Sequence, residues 1–193
     1  MSENKIVIPA IPAVVKGKTF SPSDIKWVKT VNDTDTHSAY LPPDNPYGRL
    51  IENQNGIFFC LQLNPRFTAS LNRVPIGELI LLYQRLDDHT KCFTHLVTPI
   101  GDNVLEKSPH SEKSPWPGRW VKVIAMTGSK TANSIPVDKT DWPKAGFTGQ
   151  MLDLSFMTSH VRKIPDVGQL ADLQKDIYGR FQPHMITVSK EKK

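Results

Sequence analysis

Continuous apolar runs, rather than a helical period, dominate the centre of this chain. Four of these runs have the length of strands buried on both faces, and turn-forming residues bound each one. They are GIFFCLQL (56–63), ELILLYQR (78–85), CFTHLVTPIG (92–101) and RWVKVIAMT (119–127). A short run at 134–137 predicts a further strand, and MLDLSFMTS (151–159) predicts either a continuation of the sheet or the start of a helical turn.

One segment near the C-terminus has a helical period. Apolar residues recur there at spacings of three and four after Asp166, a residue type that favours helix N-termini. They are Leu170, Leu173, Ile177 and Phe181. Four or five strands with one or two helices predict a mainly β (α+β) domain in the form of a small barrel. A doubly wound parallel sheet is not expected, because regular alternation of strands and helices is missing.

The first fifty residues differ from this central part. Short apolar pieces alternate there with turn-rich stretches, and prolines are frequent. No helical period is sustained, so we interpret residues 1–55 as an irregular N-terminal extension, packed on the domain or flexibly attached to it. The barrel domain then covers residues 56–186, and residues 187–193 form a polar tail. Within the domain, the sequence PIGEL predicts that Gly77 lies in a tight turn directly before a buried strand.

Length and composition restrict the class of protein. The 193 residues suit one domain, and their net charge of +5 suits a nucleic-acid partner. No apolar run approaches the roughly 20 residues that span a bilayer, and no secretion signal opens the chain, so we expect a cytoplasmic protein without a membrane partner. Cys60 and Cys92 lie in apolar runs without Cys or His at metal-ligand spacing, which predicts reduced core thiols and no metal or other cofactor.

Catalytic signatures are missing from the sequence. It contains no phosphate-binding Walker loop, no dinucleotide-binding glycine motif and no nucleophile elbow, and its six histidines are scattered singly. The acidic pair Asp87 and Asp88 followed by His89 resembles an acid and base cluster, but RLDDHTK is more typical of a polar hairpin turn. His95, inside a strand, is interpreted as a satisfied or surface histidine rather than a site residue.

The tryptophans provide the stronger functional signal. Trp116 and Trp120 flank Pro117, Gly118 and Arg119 at the entrance to a strand, and Trp142 begins another proline-containing loop. Trp116 also ends a polar loop of about seventeen residues, and loops of this length in compact domains are often functional. Although tryptophan is also ordinary core material, aromatic faces in proline and glycine loops above a barrel can stack on a nucleic-acid base.

The order of these motifs resembles the EVE branch of the PUA-like superfamily, whose relatives include the YTH readers of methylated RNA. The resemblance covers about residues 56–182 and ends on the C-terminal helix. It rests on IFFCLQL, on VPIGELILLYQ with Glu78 in place of the family's Asp, on FTHLVTPIG and on GRWVKVIAM. Two features depart from the family pattern: the N-terminal region lacks the usual Trp-rich strand, and the loop at 102–118 has no clear counterpart.

This resemblance implies a non-catalytic reader of a modified base that is flipped out of DNA or RNA into an aromatic pocket, as part of a defence or restriction system with a nuclease or helicase partner. The predicted contacts fall into three groups. Trp116, Trp120 and Trp142 stack on the base, Ser114 and Thr127 bind its edge, and Arg85, Arg119, Lys122 and Lys130 bind phosphates. Two alternatives stay open: a protein-protein adaptor, and, more weakly, a hydrolase or nuclease that uses Asp87, Asp88 and His89.

Overall fold

The computed structural model describes residues 6–31, 40, 50–86, 91–109, 116–128, 135–136, 151–154 and 167–186. Their strands are β1 (Ile25–Val31), β2 (Ile51–Asn53), β3 (Gly56–Gln62), β4 (Leu79–Arg85), β5 (Lys91–Pro99), β6 (Gly118–Met126), β7 (Ile135–Pro136) and β8 (Met151–Asp153). Their helices are α1 (Thr68–Asn72) and α2 (Val167–Phe181). The protein is therefore mainly β with a few helices, and the predicted strands and C-terminal helix are confirmed to within a few residues.

All the described strands belong to one mixed sheet. Its order is β2-β3-β6-β5-β4-β1-β8, and the short β7 pairs with β5. β1 runs parallel to β4, whereas the other described pairs are antiparallel. Among the described strands, no pairing joins the edge strands β2 and β8. The sheet is thus open in this part of the chain, and the predicted closed barrel is not confirmed.

The predicted domain boundary at residue 55 is wrong, because β1 lies inside the sheet between β4 and β8. The chain before β1 is also anchored: Val15 and Phe20 are buried, and the Lys18 ammonium bonds both the Asp24 carboxylate at 2.8 Å and the Gly77 carbonyl at 2.6 Å. Residues 6–31 are therefore part of the domain rather than an extension of it. The predicted polar tail at 187–193 lies outside the described residues.

Apolar side chains cover both faces of the sheet. One face packs against α2 and the chain that precedes β1, and its core includes Val15, Ile177 and Phe181. The opposite face packs against α1 and includes Phe59 and Leu71. We call these the α2 face and the α1 face. Because successive strand residues point to opposite faces, each strand contributes to both cores, which explains the continuous apolar runs in the sequence.

The turn before β4 confirms the expectation for Gly77. The Glu78 amide donates to the Pro75 carbonyl at 3.3 Å, and Gly77 has a φ of 90°. A positive φ at the third position of a four-residue turn is the conformation that glycine adopts without a steric penalty. An added Cβ on Gly77 would also contact the Val14 side chain at 3.4 Å.

We expect Gly77→Ala to lower the free energy of unfolding by about 1 to 2 kcal/mol, because alanine is strained at positive φ. Gly179→Ala is the matched control. Gly179 lies inside α2 with no atom within 4 Å of an added Cβ, so this change should raise stability by about 0.5 to 1 kcal/mol. Urea denaturation of both variants measures the two shifts, and equal shifts of the same sign would contradict the assignment.

Candidate binding site

Buried polar side chains are concentrated at one end of the sheet, where β1, β4 and β6 end and β5 begins. We call this the polar end. Among the buried polar or charged residues of the described ranges, six lie there. They are Lys29, Thr30, Gln84, Thr94, His95 and Thr127. Buried polar groups reduce stability unless they are bonded, so such a concentration is more typical of a binding site than of a simple core.

A β-bulge shapes the polar end. Between β4 and β5 the register passes from the pair Leu82 and His95 to the pair Tyr83 and Phe93, which leaves Thr94 without an opposite residue. A bulge re-aims the side chains of its strand, and it places the Thr94 hydroxyl beside His95. The Thr127 amide donates to the Thr94 carbonyl at 2.9 Å, so the end of β6 is attached to the same bulge.

A chain of hydrogen bonds crosses the α1 face from this bulge. Gln84 Nε2 donates to Thr94 Oγ1 at 2.6 Å, Thr94 Oγ1 lies 2.9 Å from His95 Nδ1, and His95 Nε2 lies 2.9 Å from the Tyr40 carbonyl oxygen. Burial lowers the pKa of His95 to about 4, although the bond to the carbonyl opposes the shift. The imidazole is consequently neutral at pH 7, and both of its nitrogens are bonded.

Tyr40 lies over this part of the α1 face. Its ring stacks on Phe59 with centroids 4.2 Å apart, and Phe59 meets the His95 ring edge-on at 5.6 Å. The Tyr40 hydroxyl also accepts a hydrogen bond from the Gln62 amide at 3.3 Å. Tyr40 has a φ of 65°, which is unfavourable for a tyrosine and is held here by these contacts.

Lys29 is a buried cation on the α1 face. Its side chain points to the same face as those of Trp27 and Val31, because strand residues alternate. Among the described residues it makes one hydrogen bond, from Nζ to the Thr30 carbonyl at 3.0 Å. Burial lowers the pKa of Lys29 to about 8. An ammonium has three donors, so further donors of Lys29 can bind a ligand.

The opposite end of the sheet carries Trp116. The Ser108 amide donates to the Trp116 carbonyl at 2.8 Å, and Leu105 exchanges two hydrogen bonds with Gly118. Residues 105–108 therefore pair with residues 116–118 at the start of β6. Trp116 is 37% exposed and is the one aromatic residue among the exposed large apolar side chains of the described ranges. Its side chain is therefore partly open to solvent, and the stacking role stays a prediction.

Two predicted contacts at this end need correction. Arg119 is 3% exposed, and its guanidinium donates to the carbonyls of Gly101, Leu71 and Val74 at 2.7, 2.8 and 2.7 Å, so it holds loops together instead of binding phosphate. Trp120 is 4% exposed and belongs to the core of the α2 face, so its ring does not face a base. Strand alternation buries both residues because β6 is covered on both faces.

The predicted pocket is also divided. Trp116 precedes β6 and Thr127 follows it, and a nine-residue strand separates them by roughly 25 Å. One base therefore cannot touch both residues. Thr127 is itself buried, with its hydroxyl 3.4 Å from the Gly128 carbonyl. The half-buried Lys122 lies in mid-strand opposite Phe58 and Thr98, and burial lowers its pKa.

Other predicted residues lie outside the described part. They are Ser114, Lys130, Trp142 and the alternative hydrolase residues Asp87, Asp88 and His89. Arg85 ends β4 at the polar end, but only its backbone is described. Trp142 lies in the sequence between β7 and β8, and these two strands pair with Cys92 of β5 and with Lys29 of β1 at the polar end.

Three other kinds of feature bear on the chemistry of the described ranges: metal sites, thiols and membrane-spanning helices. They contain no cluster of three or more His, Cys, Asp or Glu side chains placed to hold a metal ion. Cys60 and Cys92 are buried, reduced thiols, which confirms the prediction of core thiols, and burial raises the pKa of Cys60 to about 11. No described helix combines the length and hydrophobicity needed to cross a bilayer.

Sequence reasoning missed Lys29, Gln84 and Thr94. The available signal was a polar residue inside an otherwise apolar strand, as in WVKTV, LILLYQR and CFTHLVTP. Because a strand covered on both faces buries every position, each polar residue inside it needs a partner. The prediction that His95 is a satisfied histidine is confirmed by its two bonded nitrogens.

No family model, curated protein or solved structure matches this chain. The resemblance to EVE domains consequently rests on the sequence motifs, and the function has to be argued from the residues themselves.

Proposed function

We propose that this protein is a non-catalytic reader of a modified base in DNA or RNA, and that the base binds at the polar end of the sheet. The observation that carries the proposal is the group of four buried polar residues on the α1 face of this end, namely Lys29, Gln84, Thr94 and His95. A flipped base needs hydrogen-bond partners for its edge in a site shielded from water, and these residue types supply both donors and acceptors.

Unused hydrogen-bonding capacity supports a ligand at this end. Within the described ranges, three buried side-chain atoms have no partner, and one of them, Gln84 Oε1, lies on the α1 face of the polar end, whereas Thr30 Oγ1 lies on the α2 face. Unbonded polar atoms in a well-packed interior are rare in folded proteins. A ligand that bonds such atoms removes their desolvation penalty and gains affinity from it.

Trp142 keeps its predicted stacking role in this proposal, because the strands that flank it in the sequence, β7 and β8, pair at the polar end. Trp116, at the other end of β6, then contacts the nucleic acid outside the base pocket or has another role. The excess of basic residues provides the general attraction to phosphates. In the proposed defence or restriction system, a nuclease or helicase partner in the cytoplasm would act on the nucleic acid that this protein recognises.

The proposal includes a PUA-like barrel. Tyr40, which follows β1 in the sequence, stacks on Phe59 of β3, although β6, β5 and β4 lie between β3 and β1 in the sheet order. A curled sheet brings distant strands together in this way, so the α1 face would be the barrel interior.

An adaptor function is the second candidate, and one observation favours it. Val7 and Val14 are 79% and 54% exposed in the chain that precedes β1, and Ile6 is 39% exposed. Exposed aliphatic side chains close together in sequence are typical of surfaces that bind protein partners. These aliphatic side chains provide neither a hydrogen bond for a base nor a charge for a phosphate.

Binding of fluorescent oligonucleotides at two salt concentrations tests the proposal against the adaptor. We expect a modified oligonucleotide to bind about tenfold more tightly than the plain one, with an affinity that falls as salt rises. Trp116→Ala should leave this preference for the modified base unchanged, because Trp116 lies at the other end of β6. Equal, weak binding of every oligonucleotide would contradict a reader, and loss of the preference in Trp116→Ala would move the pocket to the Trp116 end.

A further inference from the structure

We infer that Lys29 Nζ and Gln84 Oε1 are the donor and the acceptor that bind the edge of the base. The inference rests on the proposed function and deepens it by assigning the hydrogen-bonding groups. It predicts the ligand pattern, a neutral group with an acceptor beside a donor. It also replaces Ser114 and Thr127, the residues expected from the sequence to bind the base edge.

The orientation of Gln84 follows from its hydrogen-bonded neighbours. A carbonyl oxygen only accepts, so His95 Nε2 must carry the proton that it donates to Tyr40. In a neutral imidazole, Nδ1 then accepts, and its partner Thr94 must donate the single hydroxyl proton. Thr94 can therefore only accept from Gln84, which requires the Gln84 amide nitrogen at that position.

The Gln84 oxygen is left as an acceptor without a donor. Its side chain is 1% exposed, and Oε1 has no partner within the described ranges. Rotating the amide by 180° would not help, because it would break the bond to Thr94 on which the whole chain depends. Gln84 Oε1 is thus a buried acceptor with a fixed orientation and no hydrogen-bond donor within the described ranges.

Lys29 supplies the complementary group on the neighbouring strand. β1 pairs in parallel with β4, so that Lys29 is opposite Leu82 and Val31 is opposite Gln84. Lys29 and Gln84 therefore occupy diagonal positions on the same face, a separation of roughly 7 Å between backbones that long side chains can span. Gln84 Oε1 nevertheless accepts no bond from Lys29 Nζ. A bridging group that accepts from Lys29 and donates to Gln84 would satisfy both side chains.

Each nucleobase has an acceptor beside a donor on its pairing edge, for example N1 and the N6 amino group of adenine. Such an edge satisfies both groups at once. Two ordered waters can also bridge the pair, so the test has to separate a base from water. Modification at a neighbouring atom would then be distinguished by the shape of the surrounding apolar core.

Calorimetric titration with free nucleosides tests the inference without depending on phosphate contacts. The probes are adenosine, cytidine, guanosine and uridine with N6-methyladenosine and 5-methylcytidine. We expect at least one of them to bind the intact chain, and Lys29→Met and Gln84→Leu each to weaken it by at least about tenfold. Lys26→Met is the matched control, because Lys26 is an exposed lysine of the same strand and its loss should not change affinity.

The outcomes separate this inference from the proposed function. The inference is overturned if both variants bind the nucleoside as tightly as the unchanged protein does. It is also overturned if the intact chain binds no nucleoside and a crystal structure shows only water between the two side chains. Selective oligonucleotide binding that survives in both variants overturns it as well, while the reader function stands. Thermal melting of every variant keeps the interpretation clear, because a lost affinity counts only where the variant remains folded.

Discussion

Arg119→Met is expected to lower the free energy of unfolding by about 4 kcal/mol. The guanidinium donates three hydrogen bonds of 2.7 to 2.8 Å to carbonyls that belong to two different connections of the sheet. Bonds from a charged donor contribute about 1.5 to 3 kcal/mol each, and methionine would remove the guanidinium donors from all three carbonyls, of which that of Leu71 also accepts from the Val74 amide. Removing the desolvation penalty of the cation offsets part of this loss. Urea denaturation measures the effect.

Arg180→Met is the control for Arg119. Arg180 is half-exposed on α2, and it pairs with Asp176 at 2.9 Å one turn earlier, so its loss should change stability by no more than about 0.5 kcal/mol. If Arg119 instead bound phosphate, Arg119→Met would keep its stability and lose affinity for nucleic acid. That result would restore the role expected from the sequence.

The sequence predicted the strands that are apolar at nearly every position, and it missed β1 and β2, which lie within the predicted N-terminal extension. β1 has the sequence IKWVKTV, in which β-branched and aromatic residues favour a strand, but two lysines interrupt the apolar pattern. Lys29 is nevertheless buried, and this strand pairs with residues more than fifty positions later in the chain. Neither a buried cation nor such a distant pairing is visible in a local pattern.

The candidate site was predicted less well than the fold, because the sequence does not show which end of a strand meets which. Trp116 and Thr127 were assigned to one base-binding site on the basis of the resemblance to EVE domains. Their position at opposite ends of β6 follows only from the strand register. Arg119 and Trp120 were placed at a pocket entrance because they follow a glycine, yet the sheet is covered on both faces where they lie.

Lys29→Met is expected to raise the free energy of unfolding at pH 7 by about 3 kcal/mol. Burial lowers the pKa of Lys29 from 10.5 to about 8, so the folded protein holds a cation that would be more stable in water. One pKa unit corresponds to about 1.4 kcal/mol, and methionine retains most of the apolar stem. A stabilising change at a residue that binds the ligand is the expected relation between stability and function. A loss of stability would show instead that Lys29 has a structural partner.

The stability gained in Lys29→Met should depend on pH. Below pH 8 both the folded and the unfolded chain carry the Lys29 proton, so the folded protein bears the full desolvation penalty of the buried ammonium. As the pH rises from about 8 to 10.5 the folded protein releases the proton while the unfolded chain keeps it, so the advantage of Lys29→Met should shrink towards zero. Burial raises the pKa of Cys60 to about 11 and that of Tyr83 to about 12, so the unfolded chain loses these protons first and stability falls in alkaline solution. The unchanged protein and Lys29→Met share that effect, so the difference between their unfolding free energies isolates Lys29. Lys175→Met, at an exposed position of α2, should show no such trend, and a constant difference across this range would place the Lys29 ammonium in contact with solvent.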